Sequence, residues 1–127
     1  MKIRQGFVSN SSSSSFCIYG VQLDIEDIKK YLPDEVDKRL DEDELMDEMY
    51  DKGVEWHELA GKIEDSLGKE FSCFYDYECF RVYVGRHFAT LGDEETGSQF
   101  RVSTEARIQE VIDGDYQCSL IEETVQC

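Results

Sequence analysis

The apolar residues of this chain change their spacing near residue 70, and this change constrains the fold more than any other feature. Over residues 24–67 they recur at helical spacing, as Ile25, Ile28 and Leu32 do. Over residues 71–84 aromatic and β-branched residues crowd together, which is typical of strands. Helices and strands are therefore partly segregated along the sequence, and we expect an α+β fold.

The helical half has recognisable helix ends. Asp24 is a good N-cap for a first helix, which Pro33 stops. Residues 34–52 predict a second helix or a pair of short ones, with Gly53 as the C-cap. A further helix is expected over residues 55–67.

The remaining elements follow from turn signals and apolar runs. Within residues 14–23, Phe16, Ile18 and Val21 predict a short strand with an irregularity at Gly20. The other predicted strands cover residues 71–77, 79–84 and 116–121. A last helix is predicted over residues 104–113, with Ser103 or Thr104 as its N-cap. Its inward side chains are Ala106, Ile108, Val111 and Ile112. The stretch between residues 85 and 97 is mostly loop. Together these elements predict a single domain, with a small, mostly antiparallel sheet packed against three to four helices.

Acidic residues dominate the charge of the chain. Its 127 residues include 29 acidic and 13 basic ones, and the formal net charge is -16. Residues 24–65 hold 17 acidic and 6 basic residues, so -11 of that charge falls on the helical segment at about 24–67. DNA and anionic membranes would be repelled, so we expect no direct nucleic-acid and no membrane binding. The basic start lacks the apolar stretch of a signal peptide, which favours a cytoplasmic protein.

The densest acidic run predicts a partner-binding face. Asp43, Asp47 and Asp51 recur every four residues and therefore share one side of a helix. The candidate face consists of Asp41, Asp43, Glu44, Asp47, Glu48 and Asp51. It either meets a basic or DNA-binding protein or is only a solvated, solubilising helix surface. A calcium loop is excluded, because the sixth residue from Asp41 is Met46, where an EF-hand needs glycine.

The first residues form a second distinctive segment, MKIRQGFVSNSSSSSF, without any acidic residue. We interpret residues 1–15 as a serine-rich N-terminal arm and residues 16–127 as the folded domain. Such a composition is typical of a flexible tail, but it also suits a phosphorylation tag or an anion-binding segment. The candidate anion-binding residues are Lys2, Arg4, Asn10, Ser11, Ser12, Ser13, Arg81, Arg86 and His87.

The sequence contains no recognisable catalytic or metal-binding motif. His57 and Glu58 begin an H-E-x-x-H pattern, but Gly61 stands where the second histidine belongs. The five cysteines form no C-x-x-C pair, and their odd number favours free thiols. Of these, Cys73, Cys79 and Cys118 are expected to act as small core residues. We expect no metal and no cofactor, and the sequence favours a non-enzymatic protein.

The segment from Arg4 to Phe16, RQGFVSNSSSSSF, resembles the opening of a loose set of uncharacterised bacterial and bacteriophage proteins. Those proteins begin with a basic residue, Gly-Phe-Val, Ser or Thr, and then Asn, five serines and Phe. A weaker likeness lies in residues 82–85, 93–96 and 99–100. The resemblance implies a cytoplasmic protein of a bacterium or phage. It implies no activity, catalytic residue or cofactor.

These observations favour a small acidic module that binds another protein in a regulatory or inhibitory role. One alternative is a DNA mimic that inhibits a host DNA-binding or defence protein. Another is a small-anion or nucleotide-binding protein that uses the serine-rich arm. The partner and the oligomeric state do not follow from the sequence.

Overall fold

The computed structural model describes residues 13–77, 80–112 and 116–126. These ranges contain four strands and four α-helices. In chain order the elements are β1 (Ser13–Gln22), α1 (Ile25–Lys29), α2 (Glu42–Asp51), α3 (Trp56–Leu67), β2 (Ser72–Asp76), β3 (Arg81–Arg86), a 3-10 turn (Phe88–Thr90), α4 (Gly97–Ile112) and β4 (Ser119–Gln126). This composition confirms the predicted α+β class. None of the helices in the described ranges is long and apolar enough to cross a bilayer.

The strands form one antiparallel sheet in the order β2–β3–β1–β4. β1 pairs with β3 over residues 19–22 and with β4 over residues 13–20. The first described strand is thus an inner strand of the sheet. Because β1 begins at Ser13, the last three serines of the predicted arm belong to the sheet, whereas residues 1–12 lie outside the described part.

β1 and β3 approach each other unusually closely at a pair of facing glycines, Gly20 and Gly85. A Cβ atom on Gly20 would lie 1.9 Å from the carbonyl oxygen of Val84. A Cβ atom on Gly85 would lie 2.4 Å from the carbonyl oxygen of Tyr19. Only glycine fits at both positions, so the irregularity that Gly20 suggests in the sequence is a close backbone contact.

The main core lies between the helices and one face of the sheet. All four helices contribute buried side chains to it, among them Ile28, Leu45, Ile63 and Ile108, and the sheet contributes Val21, Cys73, Val82 and Val84. The opposite face carries a smaller cluster of Phe16, Ile18 and Tyr83, which includes no helix residue. Phe16 stacks on Phe74 there, with ring centroids 4.1 Å apart. Cys73 is buried and Cys118 half-buried, as predicted, while Cys79 lies outside the described residues.

The second predicted helix is shorter than expected. Residues 34–41 form turns, and α2 begins only after Asp41, whose carboxylate accepts a hydrogen bond of 2.9 Å from the Glu44 amide. Its end agrees with the prediction. Gly53 has a φ of 71°, and the next amide, of Val54, donates back to the carbonyl of Met49 at 2.8 Å. This is the hydrogen-bond pattern of a Schellman motif.

The last helix starts earlier than predicted. α4 begins at Gly97, and the signal that we missed is a capping box. Thr96 Oγ1 accepts a hydrogen bond from the Gln99 amide, and Gln99 Oε1 accepts one from the Thr96 amide. Ser103 and Thr104, the predicted caps, therefore lie inside the helix.

The inward face of α4 also differs in part from the prediction. Its buried side chains are Phe100, Thr104, Ile108 and Ile112. Val111 is half-buried, but Ala106 is exposed, so its inward assignment was wrong. Starting the helix at Gly97 brings Phe100 onto the same side as Ile108.

β4 covers Ser119–Gln126 and not residues 116–121, because its acidic second half pairs fully with β1.

Tyr116 precedes the strand and is buried. Its hydroxyl donates a hydrogen bond to the carboxylate of Asp27 in α1 and accepts one of 2.9 Å from the Asp24 amide. Asp24 is at the predicted N-cap position of α1, but its side chain accepts no capping hydrogen bond. The phenol of Tyr116 connects the start of α1 to the segment before β4.

Candidate functional site

The predicted acidic face is formed by one side of α2. Leu45 and Met49 lie four residues apart and are both buried, so the opposite side of the helix faces solvent. The side chains on that side include Asp43, Asp47 and Asp51, which are all exposed. The spacing therefore places these three carboxylates together, as the sequence predicted.

The other members of the predicted face have local hydrogen-bonding roles. The Asp41 carboxylate caps the helix by accepting a hydrogen bond from the Glu44 amide. The Glu44 side chain itself is exposed. Glu48 is half-buried and accepts a hydrogen bond of 3.4 Å from the Asp37 amide. Asp41 and Glu48 thus stabilise this region of the fold, while Glu44 belongs to the exposed surface.

Within the described ranges no basic side chain forms an ion pair with a carboxylate of α2. The ion pairs of this region lie elsewhere, for example between Arg39 and Asp37 at 3.0 Å and between Lys38 and Asp34 at 3.7 Å. The Arg39 guanidinium holds the pKa of the Asp37 carboxyl below its usual range through its hydrogen bonds. Arg39 is thereby directed toward Asp37, and the carboxylates of α2 remain uncompensated.

Arg86 forms the most elaborate polar cluster of the described residues. Its side chain is only 4% exposed and lies 4.4 Å above the Phe100 ring. The guanidinium forms ion pairs with Glu95 at 3.3 Å and with Glu70 at 3.2 Å, and it donates to the Thr90 carbonyl at 2.8 Å. Two carboxylates therefore compensate this buried cation, as burial requires.

Glu95 is held in this cluster from two sides. Its carboxylate accepts hydrogen bonds from the Gly92 amide, at 3.0 Å, and from Arg86. The Gly92 hydrogen bond, followed by those from Arg86, lowers the pKa of Glu95 below its usual value. A cavity of about 770 Å³ opens beside the pair and is also lined by Ser98 and Gln99. Because the Arg86 guanidinium is already paired with Glu95, we interpret the cluster as an ion pair that stabilises the fold.

The candidate anion-binding residues of the sheet do not come together. Arg81 and Arg86 are five residues apart on β3, so their side chains leave opposite faces of the sheet. Arg81 lies 3.6 Å from the Asp76 carboxylate, and the His87 ring packs edge-on against Phe74 at 5.7 Å. Ser13 begins β1, opposite Gln126 in β4. The remaining candidates, Lys2, Arg4, Asn10, Ser11 and Ser12, lie outside the described residues.

One group of metal-ligand side chains occurs in the described part of the chain. Ligand atoms of Glu55, His57 and Glu58 lie within 4.8 Å of one another, and all three residues are exposed. They stand at the start of α3, where the positive end of the helix dipole opposes a bound cation. We therefore assign no metal site to them.

Sequence reasoning missed Glu70, Thr90 and Glu95 as partners of Arg86. Glu70 carries no local signal, because the fold brings it to Arg86 from the loop between α3 and β2. Thr90 lies only four residues after Arg86, in the 3-10 turn that follows β3. The capping box of Thr96 and Gln99 does carry a local signal, since it would have placed Glu95 beside the start of a helix. The chain matches no known protein family, no curated protein and no solved structure.

Proposed function

We propose that this protein acts by binding another protein, whose basic surface docks on the exposed carboxylates of α2. The observation that carries the proposal is the uncompensated charge of this helix. Asp43, Asp47 and Asp51 project from one side of α2, and no described basic residue pairs with them. Like charges four residues apart oppose helix formation, and the helix dipole also opposes Asp51 at the end of α2, so Asp47 and Asp51 do not serve the stability of this helix.

Electrostatic steering is the mechanism that this surface supports. A dense negative patch raises the rate at which a positively charged protein encounters it, and salt reduces that rate. Within the proposal, the resemblance of residues 6–16 to bacterial and phage proteins favours an interaction in the bacterial cytoplasm. We therefore expect the partner in a bacterial lysate.

A DNA-binding partner is a specific form of the same proposal. Seven acidic residues lie between Asp41 and Asp51 inclusive. These positions span about 15 Å of helix at 1.5 Å per residue. The resulting spacing of roughly 2 Å per charge is close to the ~1.7 Å of duplex DNA. This density favours a protein that normally holds DNA, and DNA should then compete with α2 for it.

Two charge-matched triple variants test the proposal. The first replaces Asp43, Asp47 and Asp51 by Asn. The second changes the exposed residues Glu35→Gln, Asp65→Asn and Asp93→Asn, which lie outside α2 and alter the net charge equally. Affinity capture from a bacterial lysate, followed by binding measurements with the purified partner, compares both variants with the unmodified chain.

The expected result is a protein that the unmodified chain and the second variant retain and the α2 variant loses. Equal retention by all three would contradict the role of α2, and equal loss in both variants would indicate non-specific charge attraction. Competition by duplex DNA for the retained protein distinguishes the DNA mimic from a binder of other basic surfaces.

A further inference from the structure

A cleft of about 350 Å³ opens beside the acidic side of α2, where the end of that helix meets the start of α3. Its apolar lining comes from Met46, Met49 and Val54. Met49 is buried and the other two are half-buried. Unbranched methionine side chains adapt to the shape of what they contact, so this floor suits an alkyl chain.

Three aromatic side chains, Tyr50, Trp56 and Tyr77, also line the cleft. Tyr50 is 86% exposed and Tyr77 39% exposed, which leaves their rings available to a ligand. Trp56 is fixed from behind, because it stacks on Tyr75 at 5.6 Å and meets the edge of Phe80 at 5.0 Å between centroids. The cleft thus joins a rigid indole to two accessible phenol rings.

A carboxylate completes the cleft. Asp47 lines it, is exposed, and has no ion-pair partner among the described residues. Aromatic faces carry negative electrostatic potential and attract organic cations, and a carboxylate adds to that attraction. A purely apolar ligand would gain nothing from Asp47, and a small hydrated metal ion would gain nothing from the methionine floor.

We infer that this cleft binds the side chain of an arginine on the protein partner, an inference that rests on the proposed function. The alkyl stem of the arginine packs on the methionines. Its planar guanidinium, which stacks well on aromatic rings, lies against the phenol and indole faces near Asp47. The partner that α2 attracts is therefore anchored at one end of the acidic face by a single inserted arginine.

Binding to the cleft can be followed by the fluorescence of Trp56, because it is the only tryptophan of the chain. The peptide acetyl-Gly-Arg-Gly-amide is titrated at constant ionic strength while Trp56 fluorescence is recorded. The control peptide carries citrulline, which has nearly the shape of arginine but no charge. We expect a saturable change with the arginine peptide and about tenfold weaker binding of the citrulline peptide, the ratio that about 1.4 kcal/mol produces.

Single variants locate the effect within α2. Asp47→Asn and Tyr50→Ala should each weaken the arginine peptide about threefold, through the lost ion pair and the lost ring respectively. Both residues are exposed, so the fold should tolerate the changes. Asp65→Asn is the matched control, because Asp65 is exposed, lies outside α2 and does not line the cleft.

Three outcomes would overturn the inference. The arginine peptide could leave Trp56 unchanged, both peptides could bind equally, or Asp65→Asn could weaken binding as much as Asp47→Asn. None of these affects the proposed function, whose test depends on the triple variant of α2 and the captured partner. Conversely, an arginine site that persists when no partner is retained would contradict the proposed function alone.

Discussion

Tyr116 shows how much one hydroxyl can contribute at the scale of a residue. The buried phenol donates to the Asp27 carboxylate and accepts from the Asp24 amide. Tyr116→Phe removes both bonds and leaves a buried carboxylate with one partner fewer. We expect a loss of about 1–3 kcal/mol in the free energy of unfolding, measured by urea denaturation. An unchanged midpoint would show that solvent replaces the hydroxyl.

Tyr116 also makes the stability of the folded protein depend on pH. Burial, together with the hydrogen bond to Asp27, raises the pKa of Tyr116 above its usual 10.0. A raised pKa means that the folded state holds the proton more tightly, so this stabilisation is complete below pH 10 and is lost as pH rises further. Stability should therefore fall less steeply above pH 10 in Tyr116→Phe than in the unmodified protein.

At Gly85 the addition of a single methyl group should have a large effect on stability. Gly85→Ala would place a Cβ atom 2.4 Å from the Tyr19 carbonyl oxygen and 2.8 Å from the Gly20 Cα atom. Both obstacles are backbone atoms of the paired strand and cannot move aside. We expect a loss of more than about 3 kcal/mol in the free energy of unfolding.

Gly61→Ala is the matched control for this variant. Gly61 lies within α3, and a Cβ atom there meets nothing within 4 Å. The change should raise the free energy of unfolding by up to about 1 kcal/mol, because alanine favours the helix. Losses of similar size in both variants would show that the close strand contact is not the cause.

At the scale of an element, the acidic residues in the last turn of α2 oppose the stability of that helix. Asp51 ends the helix, where the dipole favours cations, and it follows Asp47 by one turn. Asp51→Asn should therefore raise the free energy of unfolding by about 0.5–1 kcal/mol, as thermal unfolding would measure. Asp43→Asn should bring no such gain, since Asp43 stands in the first turn, where the dipole favours acids. A loss in Asp51→Asn would mean that Asp51 has a structural partner.

The elements also show why some boundaries could be predicted from the sequence and others could not. Gly53 ends α2 through a local backbone requirement, which is visible in a few residues. Thr104 misled the prediction because threonine is typical of caps, yet in α4 its hydroxyl donates to the Phe100 carbonyl at 2.6 Å inside the helix. The true start required recognising Thr96 and Gln99 as a reciprocal pair.

The larger contacts depend on residues far apart in the chain. Gly20 was recognised as irregular, but its partner Gly85 follows from the register of β1 on β3. The cluster around Arg86 likewise depends on Glu70, which reaches it from the loop between α3 and β2. By contrast, the acidic side of α2 was predicted well, because a helix converts sequence spacing directly into position.

At the scale of the whole molecule, the net charge of -16 opposes compaction. Salt screens this repulsion, with a Debye length of about 10 Å at 0.1 M. We expect the melting temperature to rise between 10 and 150 mM NaCl, measured by circular dichroism, while affinity for a basic partner falls. A melting temperature that falls with salt would show that attractive ion pairs, such as that of Arg86, dominate the electrostatics of the fold.

The place of β1 in the sheet has a consequence for how the protein is made. β1 leaves the ribosome before every other described element, yet it pairs with β3 and with β4, the last of them, so that Ser13 lies opposite Gln126. Until those strands are synthesised, the nascent chain exposes both edges of an apolar strand. The described sheet therefore cannot form until β4 has been synthesised, and its folding is limited by long-range pairing.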